Sequence, residues 1–159
     1  MQHRFVADGT VGQRKKLTPK EEVEQALYRN AKGIIYQPGE SFRRAMMEAA
    51  KQFVMKGRAT YSKAIGGGVT IEPYPVLKPQ RYEQDARRVR IPATGGAIVR
   101  YRPIFPDWEI AFRLELLDED IPLEVLRKIL EAAGARIGVG DNRVNGFGRF
   151  EVASFAPSK

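Results

Sequence analysis

Between Ser41 and about Lys56 the apolar positions Phe42, Ala45, Met46, Ala49, Ala50 and Phe53 recur at i, i+3, i+4, i+7, i+8 and i+11. This spacing places all six on one stripe of a helix, and Gly57 stands where a C-cap glycine would end it. Arg43, Arg44, Lys51 and Gln52 occupy the other face, as a solvated surface or a phosphate track. A period of two follows further on: Trp108, Ile110, Phe112, Leu114 and Leu116 predict one long strand with a single buried face, Trp108 included in the core. A second helical stripe, Leu123, Leu126, Ile129, Leu130 and Ala133, begins after Asp118 to Pro122 and stops at Gly134.

The remaining elements are shorter. Thr18-Pro19-Lys20-Glu21 is a capping box with proline at the first helical position, opening a helix that buries Val23, Ala26 and Leu27 and ends near Asn30 to Gly33. Ile34-Ile35-Tyr36 is a small strand closed by Pro38-Gly39. Residues 58 to 96 are rich in Gly, Pro and Arg, with Gly66-Gly67-Gly68 before a strand-like Val69-Thr70-Ile71 and Pro73, Pro75 and Pro79 breaking regular structure; they predict an extended insertion with a hairpin. Ala97 to Arg102 is extended, Pro103 to Pro106 makes a connection, and a last strand runs through Phe150 and Val152. The fold class expected is α+β, a ferredoxin-like (RRM-like) βαββαβ unit with the insertion at about 58–96 and a glycine-rich loop before the last strand. Residues 1–17 read as a flexible basic arm and 18–159 as one domain.

Charge narrows the function. The chain has 159 residues, a formal net charge of +8 and a pI near 9.9, which favour nucleic acid, then an anionic membrane surface, with plain solubility as the bland alternative. No cysteine and a single histidine exclude thiolate chemistry and leave no metal or cofactor expected. No apolar run approaches the ~18 residues of a membrane span, and the N-terminus lacks a signal peptide's apolar region, so a cytoplasmic protein without a membrane partner is expected.

The stretch that best accommodates a polyanion is Gly138-Val139-Gly140-Asp141-Asn142-Arg143-Val144-Asn145-Gly146-Phe147-Gly148-Arg149-Phe150. Gly138, Gly140, Gly146 and Gly148 permit positive φ and close backbone approach, and Arg143 and Arg149 supply charge for phosphates; the alternative is a connector with solvated arginines. Arg100 and Arg102 project from one strand face, with Val99 and Tyr101 on the other, so a strand bound to the arginine face would be held by charge more than by stacking. Arg87, Arg88 and Arg90, with Arg58 and Lys63, form a basic finger in the insertion or serve solubility alone.

With Gly138-Val139-Gly140 and Gly146-Phe147-Gly148-Arg149-Phe150 between the second helix and the last strand, the chain resembles the repeat-associated mysterious protein superfamily of CRISPR systems. It also resembles an uncharacterised family of phage and prophage proteins through His3-Arg4-Phe5, Ala26-Leu27-Tyr28, Arg100-Tyr101-Arg102-Pro103, Trp108 and the Gly138 to Phe150 segment. The first resemblance implies a loop that contacts RNA, in subunits lining a guide strand or in endonucleases. Related proteins carry an apolar strand before the His-Arg-Phe stretch, whereas here Arg4 to Val6 would be a minimal edge strand or the start is truncated. The favoured expectation is a non-catalytic binder of single-stranded RNA or DNA, able to assemble as a homo-oligomer along the strand. Alternatives are a metal-independent endoribonuclease using His3, with Tyr61 and Lys63 assisting, and a phage structural or interaction protein.

Overall fold

A computed structural model of the protein describes residues 16–158, so His3, Arg4 to Val6 and most of the basic arm lie outside the described residues. In chain order the elements are α1 (Pro19–Ala26), α2 (Gly39–Ala50), β1 (Val54–Lys56), β2 (Ala59–Thr60), α3 (Ser62–Gly68), β3 (Val69–Ile71), β4 (Leu77–Lys78), β5 (Glu83–Arg90), β6 (Ala97–Ile104), β7 (Glu109–Ile110), β8 (Leu114–Leu116) and α4 (Leu123–Ala132). A π-turn at Ala133–Ile137 and a 3-10 turn at Arg143–Asn145 follow. The chain is α+β and packs as two compact units: the chain up to Leu27 with Glu83–Ile104, and Tyr28–Tyr82 with the chain from Phe105 onward. Among the described residues no helix is long and apolar enough to cross a membrane.

In the first unit the capping box forms as the sequence requires. Glu21 donates its N–H to the Thr18 hydroxyl at 3.3 Å, and the Thr18 N–H donates to the Glu21 carboxylate at 2.8 Å, satisfying first-turn donors that would otherwise lack partners. That bond also holds the Glu21 carboxyl below its ordinary pKa. Strands β5 and β6 pair in continuous antiparallel register from Glu83↔Ile104 to Arg90↔Ala97, a ribbon about 27 Å long. The hairpin expected inside 58–96 instead pairs the end of that stretch with Ala97–Ile104 beyond it. Arg87, Arg88 and Arg90 stand on a regular strand and not in irregular chain.

The second unit holds the main core. The predicted stripe of α2 is buried at Phe42, Ala45, Met46, Ala49 and Ala50, and meets Leu126, Ile129 and Leu130 of α4 together with Ile65, Val69, Ile121 and Val139. Burial of each large side chain is worth roughly 1.5–3 kcal/mol. Phe42 also packs on Phe112 at 4.8 Å and Phe150 at 5.5 Å, and Trp108 reaches Phe150 at 6.2 Å between ring centroids. Helix α2 ends at Ala50, short of the expected Lys56: Lys51, Gln52 and Phe53 close i→i−3 turns, and the chain turns out into β1. Gly57 makes the corner to β2 and caps no helix. Gly66-Gly67-Gly68, expected in irregular chain before the 69–71 strand, completes α3.

The long strand expected over 108–116 is divided. Its end β8 pairs with β3, Val69↔Leu116 to Ile71↔Leu114, and its start β7 pairs with β4, Leu77↔Ile110 and Lys78↔Glu109. Between them 72–76 bulge against 111–113, where Pro73 and Pro75 have no N–H to give the ladder. Their carbonyls still accept on the other side, from Gly39 N–H at 3.3 Å and Gln37 N–H at 3.2 Å, so the 35–39 segment runs alongside. Among the described residues the strands thus pair as four separate two-stranded ladders, with isolated bridges at Arg29↔Ile35 and Tyr36↔Val76, and not as one four-stranded sheet. The expected final strand through Phe150 and Val152 joins none of them; its Phe150 N–H goes instead to the Gly134 carbonyl at the end of the α4 region, at 3.2 Å.

Candidate nucleic-acid interface

The glycine-rich segment is a closed loop. Val139, buried, donates its N–H to the Gly148 carbonyl at 2.9 Å, and this bond is the neck. The two chains touch so closely that a Cβ on Gly148 (φ +71°) would overlap the Val139 carbonyl oxygen, and one on Gly138 (φ +77°) would come within 2.8 Å of the Gly148 oxygen. Those glycines are required by chain-on-chain packing. Past the neck, Asn142 takes the left-handed conformation, the Asn145 amide donates to the Asn142 side-chain oxygen at 2.6 Å, and the 3-10 turn exposes Arg143 and Val144, the latter 99% accessible. A Cβ on Gly140 or Gly146 would meet nothing within 4 Å, so both positions are open to solvent or to a ligand.

Arg149 differs from Arg143 in kind. It is half-buried beside the neck, and its Nη1 is buried with no hydrogen-bond partner. A buried guanidinium nitrogen without an acceptor costs desolvation energy of about 1–3 kcal/mol or more. Arg149 also lies on irregular chain, where a strand start was expected.

On the ribbon, the register sorts the arginines. Directly paired residues share a face, so Asp85, Arg87, Arg100 and Arg102 stand on one side, and Ala86, Arg88, Arg90, Val99 and Tyr101 on the other. The first side is turned to α1: Arg100 and Arg102 each donate from Nη1 to Glu22 Oε1, at 3.4 and 3.2 Å, and Arg87 pairs with Asp85 at 2.5 Å. Glu22, whose side chain is only 14% exposed, is thus shared by two cations that the sequence offered as ligand-facing. The opposite side is open, with Arg88, Arg90 and Val99 exposed. The face of Arg100 and Arg102 thus sets three arginines beside two carboxylates, while Arg88 and Arg90, expected in the basic finger together with Arg87, stand on the opposite face from it.

The loop residues Gly138, Gly140, Arg143, Gly146, Gly148 and Arg149 come together in the second unit, whereas Arg87, Arg88, Arg90, Arg100 and Arg102 belong to the first. Arg58 is exposed in the β1–β2 turn, Tyr61 precedes α3 with its N–H on the Phe53 carbonyl, and Lys63 is exposed on α3. Sequence reasoning missed Glu22, because a helix-surface glutamate carries no sign of what it meets across the fold. It also missed the exposed rings of Tyr28 and Tyr74, whose shared position depends on pairing between distant segments. Compared with known protein families, with curated proteins and with solved structures, the chain matches none.

Proposed function

We propose that this protein binds single-stranded nucleic acid, RNA or DNA, without performing chemistry on it. The observation that carries the reading is a division among its cations. Along α2 and α4 they lie beside acids one turn away: Arg43 and Arg44 by Glu40, Lys51 by Glu48, Arg127 by Glu131 and Lys128 by Glu124. On the ribbon and the loop tip, Arg88, Arg90 and Arg143 are exposed and pair with no acid among the described residues. Matched pairs present little net field, whereas unmatched guanidinium groups on projecting segments release counterions when they meet phosphates.

The net charge of +8 and the resemblance of the loop to the repeat-associated superfamily support the same reading. The turn at 143–145 presents one arginine and the ribbon presents two, charge that can follow the phosphates of a flexible strand. The test is competition binding with single- and double-stranded RNA and DNA of equal length over a salt series. Single strands are expected to win, with log K falling linearly against log salt; equal affinity for duplex, or no salt dependence, overturns the reading.

A further inference from the structure

Tyr28, Tyr36 and Tyr74 come from three separate stretches of the second unit and form one ring cluster. Tyr36 lies between the others, 5.8 Å from Tyr28 at a tilt of 46° and 5.1 Å from Tyr74 edge-to-face. Backbone bonds fix the arrangement: the Tyr36 N–H donates to the Tyr28 carbonyl at 3.0 Å, and Tyr36 bridges Val76 while the Leu77 N–H donates to the Ile35 carbonyl at 3.1 Å. Alternation then decides what is exposed. Ile35, Pro75 and Leu77 point inward and are buried, so Tyr36, Tyr74 and Val76 occupy the outer face.

Burying a tyrosine gains much apolar area, yet Tyr28 is 53% and Tyr74 61% exposed, with Val76 also exposed beside them. The cluster is held by one tilted and one edge-to-face ring contact and by backbone hydrogen bonds. Exposed Lys32 sits in the turn joining the 28–30 and 34–36 segments. In a chain of net charge +8, an exposed aromatic face suits a ligand that is both flat and anionic.

We infer that the Tyr28–Tyr36–Tyr74 face is a stacking platform for the bases of a single strand, with Tyr36 bracing the two outer rings. This rests on the nucleic-acid reading above and adds the chemistry of base contact to it. Every base presents a π-face, so the platform holds a strand without reading its sequence.

Anisotropy of a fluorescein-labelled poly(U) strand, and of an abasic strand of equal length, tests it on the full chain. Replacing both Tyr28 and Tyr74 by leucine is expected to weaken poly(U) binding by on the order of tenfold for each ring. The salt slope should stay unchanged, because no charge is removed, and the abasic strand should be indifferent to the change. The double Tyr→Phe variant should bind as the parent does. Photocrosslinking of a 5-iodouracil strand to the unaltered protein should map to Tyr28 or Tyr74, a readout independent of any variant's folding. If the leucine variant binds poly(U) unchanged while loss of Arg88, Arg90 and Arg143 weakens it, the platform is refuted and the parent reading stands. If the parent protein binds no strand at all, both fall. If the leucine variant alters sedimentation but not strand affinity, the face belongs to a second copy of the chain and the inference is overturned.

Discussion

Val139 and Gly148 meet backbone to backbone at the neck of the loop: the Val139 N–H donates to the Gly148 carbonyl at 2.9 Å, and there is no room between them for a side chain on Gly148. Gly140 has a similarly positive φ of +81° but open space around it. Alanine at 140 should therefore cost only the left-handed backbone penalty, roughly 1–2 kcal/mol. Alanine at 148 adds a clash with backbone that cannot move aside, and should cost more than about 3 kcal/mol. Urea denaturation of the two variants checks the difference; equal losses would mean that the neck is not closed.

Arg143 and Arg149 should separate when replaced singly. Arg143→Ala should leave stability within about 0.5 kcal/mol, being an exposed surface change. It should also flatten the salt slope by roughly 0.7 for the one phosphate it releases from contact. Arg149→Met keeps the reach of the side chain and removes the buried Nη1 that has no partner, so it should leave thermal stability unchanged or raised. A melting temperature lowered by Arg149→Met would show that the guanidinium is satisfied in the folded protein.

Glu22 offers a gain of function. Changing it to glutamine keeps the shape but removes the carboxylate charge that Arg100 and Arg102 share. Stability should fall by about 1 kcal/mol, since both arginines are half exposed and the pairs are screened by solvent. Affinity for a single strand should rise and its salt dependence steepen, because a carboxylate that opposes phosphate is removed from beside the exposed Arg100. Arg100→Ala in the parent, by contrast, should change affinity little; a large loss would return Arg100 to the ligand-facing role expected from the sequence.

Acid should weaken one contact between α2 and α3. The Arg43 guanidinium, bonded to Glu40 at 2.6 Å, holds the Glu40 carboxyl below its ordinary pKa, and the same arginine donates to the Gly66 carbonyl at 2.6 Å. A depressed folded pKa means that the ionised form is favoured by folding, so the contribution is full above the ordinary glutamate pKa and is lost as pH falls through the lowered one. Glu40→Gln should flatten that acid limb while changing stability at neutral pH by less than about 1 kcal/mol. Melting temperature measured from neutral pH into the acid range checks it; an unaltered acid limb in the variant would assign the loss to other carboxylates.

Local chemistry was fully legible from the sequence where it acts over one or two turns. Thr18-Pro19-Lys20-Glu21 contains its own donors and acceptors, and the stripes Phe42 to Ala50 and Leu126 to Ala133 carry their own period, so these helices needed no knowledge of the fold, although Leu123, expected on the second stripe, is half exposed and of Val23, Ala26 and Leu27 only Val23 is buried. The glycine-rich loop was legible as a loop for the same reason, since residues that permit positive φ announce a turn wherever they cluster.

What only tertiary structure decided is which segments lie beside one another. The alternation from Trp108 to Leu116 is continuous, yet Pro73 and Pro75, far earlier in the chain, break its ladder by lacking N–H groups where it needs them. Arg100 and Arg102 read as free until Glu22, from a helix far away in sequence, takes their charge. Tyr28, Tyr36 and Tyr74 carry no signal singly and meet only because the 35–37 segment pairs on both sides. Period and capping are properties of neighbours along the chain. Charge pairing and ring contact are properties of neighbours in space, set by long-range register that no single segment encodes.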